Sequence, residues 1–325
     1  MTAKTGILLV NLGTPDAPEP AAVRRYLAEF LSDRMVVDLP PWIWQPILRG
    51  AILPFRPRRT AEAYRLIWTE EGSPLAAITR RQAKALQERL GSAFVVEYAM
   101  RYGRPEIAAV VDGMVAAGCE RVLAAPLYPQ FSGATTGTAE KALLAAFAAM
   151  DRDLPMRILP PYYHDELYIA ALAANLERQL AELDFEPQRL LLSFHGLPQR
   201  TVERGDPYFR HCSETARLLG ERLSIAVDVA FQSRFGRAKW LEPATAVTLS
   251  AYPAMGIRRI AIAAPGFSAD CVETLEELGI RGRNTFFGAG GKRFARLDCL
   301  NDSLEGMAML EALVRRELAG WPSPE

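Results

Sequence analysis

Short, unbroken apolar runs recur along this chain. Each is stopped by a turn-forming residue and followed by apolar positions at helical spacing. The runs cover 6–10, 93–100, 121–125, 190–194, 225–231 and 259–264. Runs of this length with little polar alternation predict strands buried on both faces. Between them, 75–90 (closed by Gly91), 105–117 (closed by Gly118) and 167–183 carry apolar residues one helical turn apart; 304–318 reads as a last helix. Strands alternating with helices predict βαβ units, hence an α/β fold with parallel sheets.

The pattern echoes itself. Gly118-Cys119-Glu120-Arg121-Val122 leads into a strand that stops at Pro126, and Gly256-Ile257-Arg258-Arg259-Ile260 into one that stops at Pro265. Segments 7–13 and 190–196 are both apolar runs ending in a polar residue and glycine. Two similar α/β lobes with strand ends facing a cleft explain the echo, and 325 residues suit two lobes. The expected divisions are 1–165, 166–303 and a C-terminal helix, 304–325, packing back on the first lobe. Glu186-Pro187 gives a break just after the connecting helix.

Strand ends direct attention to two places, because ligands in open α/β sheets sit outside the carboxyl ends of the strands. Leu190-Leu191-Leu192-Ser193-Phe194 delivers His195 there, before Gly196 and Pro198 turn the chain away; the chain holds three histidines. His164 and His211 stand in polar stretches and are expected at the surface. The run 259–264 breaks at Pro265-Gly266 and continues through Asp270, Glu273 and Glu277. Glu273 and Glu277 are spaced to share one face of a helix. Neutral imidazole and carboxylate together suit proton transfer or a divalent borderline metal. Two such ligands leave open coordination positions, as expected of a metal in transit or in chemistry. At the corresponding place in the first lobe, 128–138 is a hydroxyl- and glycine-rich helix entry suited to an anion.

Composition narrows the partners. Lys plus Arg and Asp plus Glu are equal at 38 each, and no basic stripe with interleaved aromatics appears, so nucleic acid is not an expected partner. Cys119, Cys212, Cys271 and Cys299 show no C-x-x-C spacing and read as reduced thiols of a cytoplasmic protein. No signal peptide or spanning helix is expected. The apolar segment 39–55, with Trp42 and Trp44 beside prolines and Arg56, Arg58 and Arg59 following, could rest in a membrane interface, line a cleft lip, or be buried. Gly288-Ala289-Gly290-Gly291-Lys292 lacks the leading glycine and the Ser/Thr of a phosphate loop, and no G-x-G-x-x-G follows the first strand.

With these residues in hand, the chain resembles the ferrochelatases, which insert ferrous iron into a porphyrin, and among them the protoporphyrin-using bacterial type. The resemblance runs through Asn11-Leu12-Gly13-Thr14-Pro15, Tyr128-Pro129-Gln130-Phe131-Ser132 with Thr135-Thr136-Gly137, and Ser193-Phe194-His195-Gly196-Leu197-Pro198. It continues through Gly205-Asp206-Pro207-Tyr208, Phe231-Gln232-Ser233-Arg234 with Trp240-Leu241, and Asp270-Cys271-Val272-Glu273-Thr274-Leu275. It implies two Rossmann-like lobes without a nucleotide, as in the class II chelatases, and a porphyrin cleft between them. His195 and Glu273 fall on the catalytic and metal-handling positions, and Asp270 and Glu277 on an acidic relay behind them. Leu12, Arg101, Tyr102, Tyr128, Ser132, Thr135, Trp240 and Phe267 fall near the macrocycle, and 39–55 on the apolar lip.

The resemblance also implies no tightly bound cofactor, with Fe2+ as a substrate. No [2Fe–2S] cluster is expected, because Gly133 stands where cluster-bearing relatives carry a cysteine and no cysteine-bearing extension follows. Cys271 stands where some members have a histidine. Leu12 stands where coproporphyrin-using relatives carry a tyrosine, which favours protoporphyrin IX. The expected setting is cytoplasmic, with peripheral membrane contact through 39–55. A chelatase for another tetrapyrrole and a non-catalytic porphyrin carrier are the alternatives; only an enzyme needs the His195–Glu273 pair.

Overall fold

The computed structural model describes residues 4–150, 153–236 and 238–321. They form two compact units. The first takes in residues up to Tyr128, Ser132–Pro160, and the chain from Leu310 onward. The second holds Pro129–Phe131 and Pro161–Met309. The boundaries expected at 165/166 and 303/304 therefore both fall inside the second unit.

Each unit carries one parallel four-stranded sheet. In the first, β1 (Lys4–Thr14), β2 (Phe94–Gly103), β3 (Cys119–Pro126) and β4 (Met156–Ile158) lie in the order β2-β1-β3-β4. In the second, β5 (Arg189–His195), β6 (Val227–Gln232), β7 (Arg259–Ala263) and β8 (Arg293–Arg296) lie in the order β6-β5-β7-β8. The two orders are the same, which is the physical content of the sequence echo. In both, the order reverses beside the unit's first strand, between β1 and β3 and between β5 and β7. Such a switch point opens a crevice at the carboxyl ends.

The strands are apolar without alternation because helices cover both faces. Ile7, Leu8, Leu9 and Val10 are consecutive and wholly buried, as are Leu190, Leu191 and Leu192. Leu8, Val10, Val122 and Ala124 pack against Val111 and Met114 of the helix Ile107–Ala116 and Leu143 of Thr138–Ala148. Leu191, Ile260 and Ile262 pack against Leu249, Leu278 and Phe286. Burying one such side chain contributes about 1.5–3 kcal/mol.

Three structural details lay outside the sequence reading. β1 runs on past the apolar segment to Thr14, pairing with β2 through Gly13 and Tyr102. Gly13 sits at φ +112, and a Cβ there would stand 1.7 Å from the Tyr102 carbonyl oxygen, so only glycine fits. The edge strands β4 and β8 went unpredicted, since β4 has three residues and β8 begins and ends in arginine. Finally, Leu48–Ile52, Gly133–Gly137 and Glu273–Gly282 are π-helical, with one residue more per turn-closing bond than the α-helix the spacing predicts. All three lie in segments the sequence marked for function.

Candidate active site

His195 is the last residue of β5, half-buried, beside the switch point of the second unit. Its Nδ1 lies 2.7 Å from the Gly196 carbonyl oxygen. A carbonyl only accepts, so Nδ1 carries the proton and Nε2 keeps its lone pair. The strand end is pinned on both sides. The His195 backbone N–H donates to the buried Tyr208 hydroxyl, and the Gly196 N–H donates to the Gln232 carbonyl at 2.7 Å. A Cβ at Gly196 would stand 2.5 Å from that carbonyl oxygen and 3.3 Å from the Trp240 ring, so glycine permits the close approach. Trp240, half-buried, donates its indole N–H to the Phe235 carbonyl at 3.0 Å, which holds the ring on this side.

The acidic segment opens after β7. Tyr168 donates to the Pro265 carbonyl at 2.5 Å and holds the turn through Gly266, with Phe267 packed on the second core. Glu273 begins the π-helix and is half-buried. Its carboxylate accepts a hydrogen bond from the Cys271 thiol; burial first, then the Glu273 charge, pushes that thiol well above its usual range. Glu277 is engaged differently: its two oxygens accept the Ser233 N–H at 2.8 Å and the Ser233 hydroxyl at 2.6 Å. Ser233 is held at φ +64, a strained value for a non-glycine residue. Asp270 is 4% exposed and saturated. It accepts from Thr274 (2.7 Å), Arg296 (2.9 Å), Asn301 (2.7 Å) and the Cys299 N–H (3.3 Å). A carboxylate with every lone pair filled acts as a structural anchor for the turn, whereas the Glu273 carboxylate is met by the Cys271 thiol.

In the first unit, the switch point carries different groups. Leu12 follows Asn11, whose side chain donates to Thr79 at 3.0 Å, and packs partly on the core. Arg101 and Tyr102 end β2, and both are tied to Asp33. The Asp33 carboxylate accepts Arg101 Nη2 at 2.6 Å, the Tyr102 hydroxyl at 3.0 Å and Thr138 Oγ1 at 2.6 Å. Burial raises the Asp33 pKa, but the Thr138 and Met35 hydrogen bonds, then Tyr102 and Arg101, outweigh it and hold the group below its usual value. Arg101 is therefore a neutralised cation, and Asp33 is a residue that sequence reading missed: it stands 68 positions from its partner, with no motif around it. Tyr128 and Ser132 are buried; Ser132 caps the π-turn by accepting the Ala134 N–H at 3.3 Å, and Thr135 is half-exposed on that turn.

His211 corrects the surface expectation. It is 6% exposed, stacks on Tyr163 with centroids 3.6 Å apart, and accepts the Phe131 N–H on Nδ1 at 3.1 Å. Burial, then Arg210, lowers its pKa to about 4. The signal was present: Tyr208, His211, Cys212, Thr215, Ala216 and Leu219 form the buried stripe of one amphipathic helix. His164 is exposed, as expected.

The profile of the ferrochelatase family matches residues 4–318. The chain belongs to this family. A ferrochelatase of Mesorhizobium japonicum is 49% identical, the match covering 98% of this chain and 92% of that protein. A ferrochelatase of Rhizobium meliloti is 48% identical over 98% of this chain and 96% of that protein. Among solved structures, SirB from Bacillus subtilis with Fe3+ is similar in fold, with a TM-score of 0.59 at 12% identity, covering 99% of this chain and 100% of that one. CbiX, the terminal enzyme of siroheme biosynthesis in denitrifying bacteria, gives a TM-score of 0.51 at 16% identity, covering 96% of this chain and 98% of that one. These likenesses show the α/β fold of two Rossmann-like units. Among the described residues, no group of three or more His, Cys, Asp or Glu is placed to hold a metal, and no helix is long and apolar enough to cross a membrane.

Proposed function

We propose that this ferrochelatase-family protein inserts Fe2+ into protoporphyrin IX to give protoheme, with release of the two pyrrole N–H protons. The observation that carries the reading is the His195 tautomer. A hydrogen bond to the Gly196 carbonyl holds the proton on Nδ1, so Nε2 is ready to accept one. Metallation must remove two pyrrole protons and strip water from the incoming ion. His195 takes the first proton from a pyrrole nitrogen on Nε2. Glu273 serves as the acid-side partner that delivers the ion or takes the second proton. Bending the macrocycle exposes its nitrogens, a strain supported by contacts remote from the metal.

The finer reading is protoporphyrin IX over coproporphyrin III. Leu12 at the β1 end is apolar, and Arg101 is committed to Asp33, which leaves it poorly suited to an additional propionate. No resident cofactor and no [2Fe–2S] cluster enter this reading: Cys119, Cys212, Cys271 and Cys299 are buried free thiols on separate segments, and such a cluster takes four converging ligands. The same reading gives a cytoplasmic protein resting on lipid through 39–55. Trp42 and Phe55 are 78% and 75% exposed, with Ile43 and Ile47 beside them, whereas Trp44, Leu48 and Leu53 are buried. Exposed aromatics next to Arg49, Arg58 and Arg59 suit an anionic membrane surface.

Anaerobic mixing of the purified protein with Fe2+ or Zn2+ and each porphyrin, followed by absorbance, tests the proposal. Metalloporphyrin formation with a higher kcat/KM for protoporphyrin IX is expected. Absence of turnover with either porphyrin overturns the activity; a preference for coproporphyrin III overturns the substrate alone.

A further inference from the structure

We infer that Gln232 is a positioning residue that sets Glu273 against the His195 strand end, an inference that rests on the activity proposed above. Gln232 is the last residue of β6 and is 3% exposed. Its backbone carbonyl accepts the Gly196 N–H at 2.7 Å, one residue beyond His195. Its side-chain Nε2 donates to the Glu273 carbonyl oxygen at 3.0 Å. One buried residue thus bonds the backbone at both candidate catalytic groups.

The amide orientation is determined by its partners. The Glu273 carbonyl only accepts, so the side facing it must be the NH2 group. The opposite side, Oε1, then accepts the Ser193 hydroxyl at 2.6 Å. That donation uses the single Ser193 hydrogen, so Thr245 must donate to Ser193 across their 2.7 Å contact. The result is a directional chain, Thr245 to Ser193 to Gln232 to the Glu273 carbonyl, anchored in β5 and in the helix Thr245–Ala251. Ser193, Thr245 and Gln232 are all buried, so water does not compete for these bonds.

The chain ends on the carbonyl of the first residue of the π-helix, which gives that residue a buried partner outside the helix. Ser233, the next residue, holds Glu277 one turn further on through its N–H and hydroxyl. Gln232 and Ser233 therefore fasten the π-helix at two successive turns, Gln232 at the turn that carries Glu273. A displacement of about 1 Å in a reacting group costs on the order of a hundredfold in rate, so a fastener of this kind controls turnover without touching the porphyrin.

Gln232→Glu is the decisive variant. Assayed at a pH high enough to ionise this buried carboxyl, whose pKa burial raises, it still accepts from Ser193 but cannot donate to the Glu273 carbonyl. With the full chain, kcat for Zn2+ insertion is expected to fall about 10- to 100-fold, while porphyrin affinity by fluorescence quenching and porphyrin KM stay within about twofold. Gln232→Met, which removes both amide bonds without adding charge, should show the same split and stands in if the glutamate variant does not fold. In a Glu273→Gln background, Gln232→Glu should add little further loss, because both act through one group. Unchanged kcat in a folded Gln232 variant, equal losses in kcat and porphyrin affinity, or losses that multiply with Glu273→Gln would each overturn the inference. Inactive wild-type protein would instead overturn the activity on which it rests.

Discussion

The carboxyl ends of β1 and β3 in the first unit and those of β5 and β7 in the second share one topology, yet they carry different groups. The second unit brings an imidazole with a free Nε2 and the half-buried carboxylate of Glu273. The first brings Leu12, a hydroxyl-lined π-turn, and an arginine already neutralised by Asp33. Strand order creates the crevice; the residues just past each strand decide its chemistry. Under the function proposed above, proton and metal handling fall to the groups of the second unit.

The comparison breaks most sharply at His195. His195→Ala should lower kcat by about 10³-fold or more while the protein stays folded and still quenches porphyrin fluorescence. Near-wild-type turnover would move the chemistry elsewhere. Glu273→Gln should cost about a hundredfold in kcat, and Glu277→Gln less, because Glu277 already spends both oxygens on Ser233. The reverse ranking would make the inner acid the reacting one. In the first unit the expected response is stability. Asp33→Ala removes the carboxylate that neutralises Arg101 and should lower unfolding free energy by about 2–4 kcal/mol in urea titration, with a smaller effect on turnover than either active-site change. A kcat collapse in that variant, at temperatures where it is folded, would give the first unit a chemical role.

A smaller effect separates structural from reacting histidines. The His211 pKa is lowered to about 4 in the folded protein. An unfolded chain takes up a proton near its ordinary value of about 6.5, so the stabilising contribution is complete above that pH and is lost as pH falls toward about 4. His211→Asn, which can still accept the Phe131 N–H, should flatten the fall in thermal midpoint across that window; an unchanged slope would assign it to other groups. The smallest effect is expected at Trp42. Trp42→Ser should leave stability within about 0.5 kcal/mol and solution turnover unaltered, and should weaken co-sedimentation with anionic vesicles. Undiminished vesicle binding would remove lipid as the occupant of that face.

Much of this arrangement was legible from the chain. The buried strands announced themselves because a sheet covered on both faces demands continuous apolar runs, as at Leu190, Leu191 and Leu192. Helix ends were readable at Gly91 and Gly118, both at positive φ. The placement of His195 at one strand end and of Glu273 beyond another followed from the same runs. Less legible was the state of each polar group. Asp270 and Glu277 look alike with Glu273 on paper; only their partners, Arg296 and Asn301 for one and Ser233 for the other, distinguish an anchor and a fastener from the acid met by the Cys271 thiol. The lip segment divided for the same reason, with Trp44 donating to the Leu31 carbonyl at 2.6 Å while Trp42 stays exposed.

Local patterns alone determined the six apolar strands, four of the helices, the recurrence of one topology in two units and the strand ends at which to look, because those depend on periodicity and turn chemistry within a few residues. Tertiary structure decided which side chains are spoken for. The Asp33–Arg101 pair spans 68 positions and the Gln232–Glu273 bond spans 41. The π-helical turns depend on a choice between hydrogen-bond partners one residue apart, which packing resolves and composition does not. A buried polar group must find a partner wherever the fold supplies one, and that partner is as a rule distant in the chain, so its identity is written in space and not in sequence order.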